Sequence, residues 1–253
     1  MASFLLPRAQ RAAVIAIYQF ARYADDVADE GEALPDARLQ ALHELEQNLH
    51  AVYAGTASSL LTPHTQRLPK HLFIDLLSAF KQDVHKHHYA DWPELLDYCA
   101  RSANPIGRLM LALFNVNAPE ALQQSDAICT ALQLSNFWQD VAIDQHKGRV
   151  YLPQSLLTDL HDVNTDHYSP EIACVLAQAS DNTWQMFVQG APLLRQLRGR
   201  FKWEIAYTIA GGMLILKKLK TVHYNVWKHR PVLSKADLPA LTCMAVKLIF
   251  KHR

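Results

Sequence analysis

Apolar residues recur at helical spacing along nearly the whole of this 253-residue chain. Over residues 36–54, Leu39, Leu42, Leu45, Leu49 and Val52 fall on one stripe, and Gly55 is placed to stop it. Residues 70–84 repeat the pattern with Leu72, Phe73, Leu76, Leu77, Phe80 and Val84. Residues 94–114 read as a helix bent at Pro105, where the ring removes a backbone donor. Ser234 is placed to N-cap a last helix that runs into the basic tail KLIFKHR. Only eight glycines are present, and no Asn-Gly or Asp-Gly pair occurs. That argues against a turn-rich β architecture and against a Gly-rich phosphate loop. The pattern predicts one all-α domain over residues 1–253, with eight or more helices and loops near 55–69 and 145–168.

Two helices differ from the rest. Residues 8–29 and 119–144 are apolar around much of their circumference, which predicts central helices covered on most sides. Yet each ends in clustered carboxylates. Asp25, Asp26 and Asp29 stand at i, i+1 and i+4, so Asp25 and Asp29 lie about 40° apart on one face. Tyr18 and Arg22 precede them at the same four-residue step. Gln133, Asn136, Asp140 and Asp144 form a second polar ladder, about 16 Å long at ~1.5 Å per residue.

Carboxylates at a helix C-terminus are disfavoured by the helix dipole, and like charges at i, i+4 add to the penalty. Partial burial makes each ion costlier still unless it is paired. Arg22, Lys147 and Arg149 are too few to neutralise both clusters. Hard divalent cations would do so, and oxygen ligands with no His or Cys among them suggest Mg²⁺.

Other features exclude function classes. The 25 basic and 24 acidic side chains leave a net charge of +1, which argues against a nucleic-acid partner bound by bulk charge. The four cysteines, at 99, 129, 174 and 243, have no metal-ligand spacing and suit a reducing cytosol. MASFLLPRAQRAA lacks the charged head and apolar core of a signal peptide, and the near-apolar run Ile205–Leu216 is too short to span a bilayer. A cytoplasmic protein is expected. His85, His87 and His88 read as a solvated loop, and Phe137 and Trp138 as core beside the second ladder. Gly211-Gly212 marks close packing or a kink. Arg195, Arg198, Arg200 and Lys202, then Lys217, Lys218 and Lys220, read as an exposed face. The alternative is peripheral contact with an anionic inner-membrane surface.

The segments ASFLLP, AIYQFARYADDVADE, YCARSANPIGRL, LQLSNFWQDVAIDQHKGRVYLP and GGMLILKKLKTVHYNVWKHRP, in this order, resemble the squalene/phytoene synthase family of isoprenoid enzymes. The resemblance implies an isoprenoid-synthase-type helical bundle around a central apolar cavity, with the two aspartate motifs facing each other at its mouth. It implies two or three Mg²⁺ ions bridging these motifs to a substrate diphosphate. Asp25 and Asp29, with Asp26 beside them, would serve the first motif, and Asn136, Asp140 and Asp144 the second. Arg22, Lys147 and Arg149 would hold the diphosphate. Tyr18, Tyr98, Tyr151 and Tyr224 would line the cavity near the reacting carbons, with Gln133 and Phe137 as further substrate contacts.

Within the family, NFWQDVA and KGRVYLP look most like the hydroxysqualene-forming bacterial branch of the hopanoid pathway. Gln139 stands where enzymes that join two prenyl diphosphates commonly have Arg. The resemblance therefore implies ionisation of presqualene diphosphate, rearrangement of the cyclopropylcarbinyl cation and capture of water, with no NADPH. The Gln139 amide would hold the water. Two alternatives stay open: head-to-head prenyl coupling to presqualene diphosphate, squalene or phytoene, and a non-catalytic relative serving as an assembly or binding module. Association with neighbouring squalene-pathway enzymes is compatible with either. Relatives carry a polar segment ahead of ASFLLP that helps close the diphosphate end. Here the sequence starts at Met1 and only Ser3 remains, so the expectation is either a misassigned start or an incomplete wall.

Overall fold

The computed structural model describes residues 7–157 and 167–252. Among them are nine α-helices and no strand: α1 (Arg8–Asp29), α2 (Pro35–Ala54), α3 (Lys70–Asp83), α4 (Trp92–Ser102), α5 (Asn104–Leu113), α6 (Pro119–His146), α7 (Pro170–Gly190), α8 (Gly199–Thr221) and α9 (Leu238–Lys251). Proline occupies the first turn of α2, α4, α5, α6, α7 and α9, where its missing N–H leaves no helical bond unmade. Asp91 caps α4 by accepting from the Glu94 amide at 2.9 Å, and Ser169 caps α7 by accepting from the Ile172 amide at 3.2 Å. Gly55, at φ 77°, ends α2 as expected.

Three expectations need correction. The 94–114 stretch is not one bent helix. Helix α4 ends at Ser102 and α5 begins at Asn104, with the interruption at Ala103, whose φ is −118°, and Pro105 lies in the first turn of α5. Ser234 forms its capping box with Asp237 around a short 3₁₀ turn that leads into α9. And α1 is not covered on most sides. It buries Ala13, Ala16, Ile17, Ala24 and Ala28, but Ile15, Tyr18 and Tyr23 are exposed. α6 is the central helix, packing on α4, α5, α7 and α8.

The core is split. One cluster joins α1, α2 and α3 through residues such as Ile17, Leu42, Phe73 and Leu76. A larger one joins α4 and α6 to α9 around Trp138, Phe187 and Ile209. They meet at α5, where Leu109 belongs to the first, Leu111 to the second, and Met110 packs against both. A cavity lies along this seam. Helix α8 runs unbroken through Gly211-Gly212, and Gly212 packs on the Phe187 ring, which a Cβ would meet at 2.3 Å.

Candidate active site

The seam cavity has a volume of about 390 Å³. Val14, Ile17, Tyr18, Ala21, Arg22 and Asp25 reach it from one face of α1, at the spacing read from sequence. Phe80 enters from α3, Tyr98 from α4, Ile106 and Met110 from α5, and Gln133 from α6. The lining is apolar apart from a polar group of Tyr18, Arg22, Asp25, Tyr98, Ser102 and Gln133, so the first acidic motif borders a largely hydrocarbon space.

The two acidic helix ends are joined by Arg149 and Lys147 from one turn. At the end of α6 the chain turns through Gly148, at φ 75°, a backbone conformation that favours glycine. The turn carries Arg149 back, its amide donating to the Asp144 carbonyl at 2.8 Å. The Arg149 guanidinium pairs with Asp29, in the last turn of α1, and Lys147 reaches Asp29 at 3.7 Å. Arg22 pairs with Asp25 at 3.0 Å, Asp26 at 2.8 Å and Glu30 at 2.9 Å. On α6, Asp140 is held by Arg230.

Desolvation pushes the Asp144 carboxyl up to about 7, with the neighbouring Asp140 charge next in importance; Arg149 and Lys147 oppose the rise. Burial also raises Asp25, against the pull of Arg22. Asp29 adds to the field at both Asp25 and Asp144, so the two motifs share one electrostatic site.

An aromatic cluster of the core backs this site. Tyr151 stacks on Phe137 with ring centres 3.7 Å apart and planes 7° off parallel, and on Tyr89 at 5.7 Å. Tyr98 packs against all three and also faces the cavity. Phe137, Tyr151, Asp144 and Arg149 line one small crevice. Trp138 is core, its Nε1 donating to Thr183 at 2.8 Å.

Two groups that sequence reasoning missed complete the site. Asp83, at the end of α3, is buried and accepts from the Tyr98 hydroxyl at 2.8 Å. Burial raises its carboxyl to about 7, and Arg149, Asp29 and Asp25 all act on it. Its signal was an acid continuing the apolar stripe of Leu76 and Phe80. Arg230 lies 90 positions from Asp140, within a segment already noted, and gives the second motif the cation it lacked.

Not every expected residue converges. Gln139 donates its amide to the Pro231 carbonyl. This bond seats the segment that carries Arg230, and Gln139 is absent from the cavity lining. Tyr224 lies in a separate cleft with Asp181, Trp184 and Lys217 and is absent from the cavity lining. Asn136 is exposed on α6, while Tyr18 sits at the cavity rim, more than half exposed. Ser3 lies outside the described residues. His85, His87 and His88 are exposed, as expected of a solvated loop.

Among the described residues no three His, Cys, Asp or Glu side chains converge on one metal position. Mg²⁺ commonly takes only one or two carboxylates and completes its shell with water and phosphate oxygens. The all-oxygen donor set, with like charges raising one another, fits an ion shared with a diphosphate rather than a resident one.

The family model for squalene/phytoene synthase matches residues 1–237. The hydroxysqualene synthase of Rhodopseudomonas palustris is 32% identical over 230 residues, covering 87% of this chain and 78% of that protein. The presqualene diphosphate synthase of the same organism is 29% identical over 187 residues, covering 69% and 67%. The crystal structure of squalene synthase HpnC from Alicyclobacillus acidocaldarius superposes with a TM-score of 0.82 at 31% identity, covering 88% of each chain. With the all-α bundle, the first aspartate motif bordering an apolar cavity and the second brought beside it at the Arg149 turn, these matches place the chain in the squalene/phytoene synthase family.

Proposed function

We propose that the chain converts presqualene diphosphate to hydroxysqualene with Mg²⁺. The observation that carries this reading is the Arg149–Asp29 pair, which ties the two carboxylate-bearing helix ends together beside an apolar cavity. Asp25, Asp26, Asp29, Asn136, Asp140 and Asp144 would hold Mg²⁺, which would supply charge neutralisation to the leaving diphosphate.

The chain's own residues would do the rest. Arg22, Lys147 and Arg149 bind diphosphate oxygens, so the C–O bond breaks with its electron pair on the leaving group. Each is already paired with a carboxylate, and the diphosphate would exchange for those contacts. The cyclopropylcarbinyl cation would lie against the apolar lining of the cavity, where Tyr98 offers an aromatic ring. Exclusion of bulk water allows rearrangement before capture. One water then adds through oxygen and sheds a proton. No electrons are gained, so no nicotinamide is needed.

A second reading is head-to-head coupling of two prenyl diphosphates, as the name of the second R. palustris relative suggests. Arg230 favours it, because two diphosphates need more positive charge than one. Incubation with Mg²⁺ and presqualene diphosphate, without NADPH, tests the choice. Hydroxysqualene formation is expected. Turnover of farnesyl diphosphate alone would favour coupling, and no turnover of either would favour an assembly module. The basic residues near α7 to α9 bear on a separate question of location.

A further inference from the structure

Helix α9 is the most apolar of the nine helices, yet it lies outside the bundle, packed on α8 and the turn after α7. A groove of about 270 Å³ runs between α7, α8 and α9. Its floor includes Trp184, Met213, Met244 and Leu248, and its charged rim is Lys217, Lys247 and Lys251. No carboxylate lines it among the described residues. Lys217 leans over the Trp184 ring, 5.6 Å from its centre. It also borders the neighbouring cleft, where Lys220 adds charge and Asp181 is the acid nearby.

One end of the groove holds His252, only 6% exposed. Its Nδ1 is buried with no hydrogen-bond partner among the described residues. Burial and then Arg195, Lys251 and Lys202 hold its pKa below the ordinary value, which reports the positive field there. Val188, which lines the groove, and Phe250, beside Lys251, remain exposed.

We propose that this groove docks the protein on an anionic membrane, an acyl chain lying between α7, α8 and α9 and its acidic headgroup meeting Lys217, Lys247, Lys251 and His252. Charge complementarity selects the acidic headgroup. The apolar floor selects a hydrocarbon chain, which a folded acidic protein does not offer. Lysine suits the rim, since its stem covers apolar surface while the ammonium stays with water and phosphate. A lysine near an anionic surface multiplies partitioning by about five.

Co-flotation with vesicles tests this without any prenyl substrate, so its outcome is separate from that of the catalytic reading. Vesicles of phosphatidylcholine alone are compared with vesicles containing phosphatidylglycerol, at low and raised salt. Flotation is expected only with the anionic vesicles, and should weaken with salt. The variant Lys217→Ala/Lys247→Ala/Lys251→Ala should lose affinity about a hundredfold. Lys70→Ala/Lys228→Ala/Lys235→Ala, which removes the same charge outside the groove, should lose little. Met244→Gln, with all lysines present, should also bind more weakly. Failure of the wild-type chain to float with anionic vesicles would overturn the proposal. So would equal losses in the two triple variants, or retention on an immobilised acidic protein without vesicle binding.

Discussion

Arg149 is ion-paired with Asp29, and the pair links the turn that ends α6 to the last turn of α1. The guanidinium is largely enclosed, so this charge is much less screened than one in bulk water. It is the contact through which two distant acidic sequences become one site.

Replacing Arg149 by Ala should therefore lower kcat by at least about a hundredfold, the scale for removing a preorganised group that meets developing negative charge. Arg149→Lys should recover part of this, because an ammonium keeps the charge but loses the planar fork. Steady-state turnover of presqualene diphosphate measures both. Equal activity in all three proteins would remove Arg149 from the mechanism.

Asp140→Ala should abolish turnover while leaving the fold intact. Its partner Arg230 is 40% exposed and can return to water, so the pair contributes only about 0–1 kcal/mol. That corresponds to a change in melting temperature of no more than about 4 °C for a domain of this size. Circular dichroism and product analysis should be run together. A much larger fall in melting temperature with activity retained would show that Asp140 is structural.

Asp83 gives the metal-free protein a pH signature. Its carboxyl ordinarily titrates at 3.8 and is raised to about 7 in the fold, chiefly by burial. The folded state thus holds a proton that the unfolded state has released. Its contribution opposes folding progressively as pH rises from about 4 to about 7, and is constant above that. Asp83→Asn should flatten this part of the stability profile and gain relative stability at neutral pH. Denaturant titrations across that range decide it, and parallel profiles for the two proteins would contradict the assignment.

The paired glycines of α8 should separate cleanly. A Cβ at Gly212 would strike the Phe187 ring at 2.3 Å, and that ring is fully buried. Gly212→Ala should cost about 1–3 kcal/mol by overpacking. At Gly211 the nearest atom is Leu233 Cδ1 at 3.6 Å, an ordinary contact. Gly211→Ala should be neutral or stabilise by up to about 1 kcal/mol through helix propensity. Thermal melts of the two variants check the contrast, and equal destabilisation would contradict it.

The contrast between Asp29 and Asp83 shows what could be read from sequence. Asp25, Asp29, Asp140 and Asp144 were legible because each pair lies on one helix, where a four-residue step fixes a shared face. The helices themselves are legible for the same reason, and the break at Ala103, two residues ahead of Pro105, reads from sequence only as a bend. Asp83 stands alone at the end of α3. Its burial and its bond to Tyr98 depend on how α3 meets α4, which no local period encodes. Arg230 reaches Asp140 across 90 positions, and Gln139 is taken up by Pro231 for the same tertiary reason. The exposure of Tyr18 and Tyr23 likewise follows from the place of α1 at the edge of the bundle, not from its composition.

The shared site is tested most directly by calorimetric titration of inorganic diphosphate in the presence and absence of Mg²⁺, using the wild-type chain, Asp29→Asn and Asp144→Asn. One Mg²⁺-dependent diphosphate site per chain is predicted, weakened strongly by either substitution because both helix ends serve it. Binding that is independent of Mg²⁺, or that one of the two substitutions leaves unchanged, would contradict a site built from both motifs.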